Sequence, residues 1–132
     1  MMIVVDTHII IWDALCPEKL SEKARNAMAI ANRKDGMILC DISLWEIAML
    51  LKKGRLRIET DYTTFINLIL SANKYMIWEI TPEIAELSVN FLADINKDPA
   101  DRIIAATSII CNASLITADV NLLQANGLKT IW

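Results

Sequence analysis

The stretch Ile3-Val4-Val5-Asp6-Thr7 decides how the rest of the chain reads. Three successive β-forming residues with no polar residue between them suit a strand covered on both faces, and the run stops abruptly at a carboxylate and a hydroxyl. Strands of that kind belong to parallel sheets, whose neighbours must be joined by crossover helices. Outward from this run, extended back to Met2, similar short apolar segments recur at Met37 to Cys40, Met76 to Ile80, Ser114 to Ile116 and Lys129 to Ile131. Between them, stretches of helical period lie near Ile9 to Leu15, Ser21 to Lys34, Leu44 to Lys53, Tyr62 to Asn73, Pro82 to Ile95 and Pro99 to Cys111, with a short one after Asp119. The alternation predicts an α/β fold with a central, mostly parallel five-stranded sheet.

Local signals support these boundaries. Thr81 caps the helix that Pro82 opens, with Ile84, Leu87, Phe91, Leu92 and Ile95 on one apolar stripe. Gly36, Gly54 and Gly127 each end a helical or turn segment, where a positive φ is useful. None of the three belongs to a Gly-rich phosphate-cradling pattern, which removes the main support for nucleotide-binding folds.

With 132 residues, 55% of them hydrophobic and 22% charged, the expected unit is one compact domain over 1–132. A chain of this length buries roughly two-thirds of its unfolded surface and needs no disulfide or structural zinc. Cys16, Cys40 and Cys111 are odd in number and widely spaced, and read as reduced thiols of a cytoplasmic protein. No apolar run approaches the ~18 residues of a membrane span, and the first residues lack the basic flank of a signal peptide, so no membrane association is expected. Thirteen basic against sixteen acidic side chains give a net charge of −3, which opposes unaided attraction to nucleic acid.

Four carboxylates occupy corresponding places. Asp6 ends the first strand and Asp119 follows the fourth, after Thr117-Ala118; Glu46 lies early in the helix after the second strand, and Asp101 opens the helix that feeds the fourth. If strands one, two and four are neighbours, all four acids face one cleft at the carboxyl edge of the sheet, where ligands bind in open parallel sheets. Each alone has a plainer explanation as helix capping: Ser43-x-x-Glu46 has the form of a capping box, Asp98 precedes Pro99, and Asp119 precedes a short helix. Together they are harder to dismiss. Two carboxylates ~5 Å apart repel by about 3 kcal/mol at an effective dielectric of ~20, so such a cluster requires protons or cations. All-oxygen donors suit Mg²⁺ or Mn²⁺ rather than zinc, and one divalent ion would take the net charge from −3 to −1.

Val4-Val5-Asp6-Thr7-His8, Ser43-Leu44-Trp45-Glu46-Ile47-Ala48, Asp98-Pro99-Ala100-Asp101-Arg102-Ile103-Ile104-Ala105-Ala106 and Leu115-Ile116-Thr117-Ala118-Asp119, in that order, resemble the motifs of PIN-domain ribonucleases, and among them those of VapC-type toxins. The resemblance runs from residue 3 to about residue 124. It implies a three-layer αβα sandwich and a metal-dependent endoribonuclease, with Asp6, Glu46, Asp101 and Asp119 at the family's acidic positions. Thr7 and Thr117 match accompanying hydroxyl residues, and Asp98 matches a further acid, read here primarily as a cap. The implied partners are an RNA substrate, a cognate antitoxin and a second copy of the chain in a homodimer, with DNA contacted only indirectly through the antitoxin. The alternatives are a noncatalytic partner- or RNA-binding module on the same scaffold and a Mg²⁺-dependent phosphatase-like domain; the latter is weakened because His8, not a second aspartate, follows Asp6 by two.

The remaining features divide. His8, the one histidine, lies two residues past Asp6 and is either a substrate contact or, as the plainer reading, a helix-start residue without chemical duty. Lys52-Lys53-Gly54-Arg55-Leu56-Arg57 is either an RNA-phosphate contact or a cationic helix end favoured by the dipole. Trp45, Trp78 and Trp132 read as core or interface residues rather than base-stacking platforms, and the apolar first helix around Trp12 suggests surface that a partner covers.

Overall fold

In the computed structural model, residues 2–90 and 98–132 are described. The strands are β1 (Ile3–Val5), β2 (Met37–Cys40), β3 (Tyr75–Trp78), β4 (Ser114–Ile116) and β5 (Thr130–Ile131). They form one sheet of order β3-β2-β1-β4-β5, and every pairing is parallel, one step beyond the mostly parallel expectation. The helices are α1 (Thr7–Leu15), α2 (Glu22–Arg33), α3 (Asp41–Lys52), α4 (Tyr62–Ala72), α5 (Pro82–Asn90), α6 (Pro99–Ile110) and α7 (Val120–Leu123). Phe91, Leu92 and Ile95 of the expected α5 stripe lie outside the described residues, while Ile84 is buried as expected and Thr81 caps the helix by accepting from the Ile84 N–H at 3.2 Å.

The apolar strands alternate between two cores, as period-two side chains must. Ile3, Val5, Met37, Leu39 and Ile116 face α1, α2, α3 and α4, where Ile10, Met28, Ile47 and Phe65 pack. Val4, Ile38, Cys40 and Leu115 face the other way, against Ile104 and Ala105 of α6 and Leu122 of α7. Two layers of helix thus enclose the sheet, giving the expected αβα sandwich.

Three expectations change. β3 begins at Tyr75 and ends at Trp78, and as an edge strand it leaves Ile77 and Trp78 exposed instead of covered on both faces. Helix α3 starts at Asp41, directly after β2, so Ser43 lies inside the helix and the capping box does not form. Trp45 is exposed, with 55% of its surface open, which excludes the core and leaves an interface of the two places expected for it. By contrast Trp132 packs against the larger core and against Trp12, at 6.1 Å between ring centroids.

Candidate active site

The strand order places β1 between β2 and β4, so the segments that follow these three strands converge at one end of the sheet. Asp6 sits there because the β1 ladder continues one residue past the strand: its N–H donates to the Ile116 carbonyl at 3.0 Å. The side chain is almost wholly buried and its two oxygens have different partners. Oδ1 accepts from the Thr7 N–H at 2.8 Å, capping α1, and Oδ2 accepts from the Thr117 hydroxyl at 2.7 Å. Thr117 in turn accepts from the Asp119 N–H at 3.0 Å, tying the end of β4 to the end of β1.

Thr7 makes the second link. Its hydroxyl donates to Glu46 Oε1, which leaves its oxygen to accept from the Ser43 hydroxyl at 2.8 Å. Ser43 and Thr7 have no solvent exposure. A side chain that reads as a helix cap therefore serves to dock α3 on α1 and to fix the direction in which Glu46 points. Sequence reasoning missed this role because S-x-x-E predicts a local hydrogen bond and contains nothing about a partner 36 residues away.

Asp101 lies in the first turn of α6, which Asp98 opens by accepting from the Ala100 N–H at 3.0 Å. Asp119 caps α7, its Oδ1 accepting from the N–H groups of Asn121 and Leu122 at 2.8 and 3.2 Å. The plain capping explanation holds for these residues, but it does not exhaust them: Asp6, Glu46, Asp98, Asp101 and Asp119, with His8, Trp12 and Ala118, line one cleft of about 270 Å³. Thr117 does not line the cleft: fully buried, it stands behind Asp6 and donates to its Oδ2.

The charges feel one another. The Asp101 carboxyl is pushed up to about 7, first by burial and then by repulsion from Asp6, Asp98, Asp119 and Glu46. Burial also raises Asp6 above the usual carboxylate range, against the hydrogen bonds from Thr117 and Thr7. Glu46 is raised as well, by burial first, opposed by the Thr7 hydrogen bond and assisted by Asp98 and Asp6. Among the described residues no three carboxylate, histidine or cysteine side chains close on a single point as a complete metal cage. The arrangement is an acidic cleft with oxygen donors around it.

The sequence profile described as PIN domain matches residues 3–128. The chain belongs to the PIN domain family. Across its length it is 29% identical to Ribonuclease VapC22 of Mycobacterium tuberculosis, covering 98% of each protein. The same PIN fold recurs in solved structures. One is VapBC2 from Rickettsia felis bound to a DNA fragment from its promoter, with TM-score 0.67 and 17% identity over 98% of this chain and 97% of that one. Another is a toxin-antitoxin complex from Klebsiella pneumoniae, with TM-score 0.64 and 21% identity over 96% of this chain and 94% of that one. Among the described residues, no helix of this PIN domain is long and apolar enough to cross a membrane.

Proposed function

We propose that this PIN domain is a metal-dependent endoribonuclease, the toxin of a toxin–antitoxin pair, that hydrolyses RNA phosphodiester bonds. The observation that carries the reading is the convergence of Asp6, Glu46, Asp101 and Asp119 on one cleft, where burial first and then the neighbouring acids push the Asp101 carboxyl up to about 7. Similarity to a curated ribonuclease over the whole chain supports the substrate class.

The donor set fits a hard divalent ion. All the acids offer oxygen, and their mutual repulsion disfavours the fully ionised cluster, which a hard divalent ion that keeps part of its water shell would relieve. Asp6, Asp101 and Asp119 would hold the ion, directly or through water, with Glu46 as a further ligand or as the group that orients the attacking water. When bound, the ion would neutralise charge on the scissile phosphate and lower the pKa of a water for in-line attack. Thr117 and Thr7 keep the Asp6 and Glu46 carboxylates in place, so that neither must reorganise when the phosphate arrives. With one histidine in the chain, no histidine pair exists to activate a 2′-hydroxyl, so the expected products carry a 5′-phosphate and a 3′-hydroxyl.

The partners that follow are a cognate antitoxin and a second copy of the chain. Exposed apolar side chains such as Ile77, Trp78, Ile80 and Val89 support surfaces covered in an assembly. The test is cleavage of single-stranded RNA by the purified, antitoxin-free protein: activity with Mg²⁺ or Mn²⁺, loss with EDTA, and loss in Asp6→Asn and Asp101→Asn variants that remain folded. Diverse RNAs left intact under these conditions would favour the noncatalytic binding module.

A further inference from the structure

A second, larger groove of about 600 Å³ adjoins the acidic cleft. The two share His8, Trp12, Glu46 and Asp98 as wall residues, so a chain lying in one reaches the other. The wall of the larger groove includes one face of α3. Glu46 stands at the acid end, and Lys53, seven residues on, returns to the same face two turns and ~10 Å away, with Arg55 just beyond. Trp45 lies beside the acid end. The two indoles of the groove differ in their state. Trp12 is engaged by His8 edge-on at 6.3 Å, by Trp132, and by the Lys19 ammonium 5.7 Å above its ring. Trp45 keeps 55% of its surface open.

Along this wall the acid cluster and the exposed Trp45 indole share one end, Met49 and Leu50 follow, and Lys53 and Arg55 stand at the other end. A nucleic-acid strand offers complementary groups: a phosphate to be cut, the π-face of a base next to it, and further phosphates that five carboxylates would repel unless cations hold them away. We propose that this groove carries the RNA strand leaving the cleavage point, that the base of a nucleotide flanking the scissile phosphate stacks on Trp45, and that Lys53 and Arg55 hold the backbone phosphate beyond it. The inference rests on the ribonuclease reading above and makes Trp45 a specificity determinant, since its indole selects an unpaired base at one position of the substrate. A tryptophan that touches a flanking nucleotide equally in the ground and transition states raises KM when removed and leaves kcat nearly unchanged.

The experiment uses the full-length chain in two forms. In an Asp6→Asn background, which prevents cutting, binding of a fluorescein-labelled single-stranded oligoribonucleotide in Mg²⁺ is followed by anisotropy. In the parent, with Asp6 intact, cleavage kinetics are measured on the same RNA. Trp45→Ala is expected to weaken binding by about tenfold or more and to raise KM with kcat retained, while Trp45→Phe keeps most of the affinity. An abasic nucleotide at successive positions should cancel the Trp45 effect at one position alone. Lys53→Ala and Arg55→Ala should each reduce the slope of log K against log salt by about one. RNA binding and KM unchanged in Trp45→Ala overturn the proposal; if the same variant then loses affinity for an antitoxin, or loses self-association, the groove is a protein interface instead. A parent that neither binds nor cuts RNA overturns the ribonuclease reading itself, which distinguishes the two failures.

Discussion

Replacing Asp101 by asparagine should make the metal-free protein more stable at alkaline pH. The Asp101 carboxyl moves from 3.8 to about 7 on folding because burial and four neighbouring acids disfavour its ionised form. Below pH 3.8 the group is protonated in both the folded and unfolded chains, and it carries no penalty. Between about pH 4 and 7 the unfolded chain ionises first, so the contribution of this group to stability falls with rising pH and is fully lost above 7. A shift of about three units corresponds to ~4 kcal/mol, and partial exposure of Asp101 with solvent screening reduces this to about 2 kcal/mol. For a chain of this length that is a Tm difference of about 6 °C. The assay is thermal unfolding followed by circular dichroism in EDTA, for the parent and Asp101→Asn in parallel at pH 5 and pH 8. The variant should be more stable at pH 8, and the two should approach one another at pH 5. Mg²⁺ or Mn²⁺ at a hundred times its Kd should then stabilise the parent at pH 8 by about 3 kcal/mol and the variant by less. Equal stability of the two proteins at pH 8 in EDTA, or an offset that does not change with pH, would refute the claim that burial and the neighbouring acids disfavour ionised Asp101 in the folded state.

Three further outcomes follow from single residues. Thr117→Val keeps the shape of the side chain but removes the donor to Asp6 Oδ2 and the acceptor for the Asp119 N–H, and should cost about 1–3 kcal/mol in urea unfolding together with RNA cleavage. Tyr75→Phe should be neutral or stabilising by about 1 kcal/mol, because the buried Tyr75 hydroxyl has no partner among the described residues; a loss of stability in urea would contradict that. Gly36→Ala should destabilise by about 2 kcal/mol on thermal unfolding, since Gly36 has φ +89° and an added Cβ would lie 2.7 Å from the Lys74 carbonyl oxygen.

Much of this was legible along the chain. Apolar runs after which the polarity changes at once gave β2 and β4 to the residue, because a strand buried on both faces tolerates no polar side chain until it leaves the sheet. The acids at the ends of β1 and β4, the caps Asp98 and Asp119, and the positive φ of Gly36, Gly54 and Gly127 are local chemistry, and they appear where the sequence puts them. The failures share a cause. Ser43 carries a local capping signal, yet α3 begins at Asp41, and the serine hydroxyl turns to Thr7 across the structure. Trp45 has the composition of a core residue, but the core side of its helix is taken by Ile47, and the indole is left facing the groove.

The sequence by itself determined the period of each element, the positions of the acids relative to strand ends and the oxygen-only character of the donors, because these depend on residues close together in the chain. Only the tertiary structure decided that β1 lies between β2 and β4, that Thr7 reaches Glu46 and Thr117 reaches Asp6, and that burial and then repulsion raise Asp101. Those depend on distances between segments as many as 111 residues apart, which packing of two apolar cores against one sheet sets and no local pattern encodes.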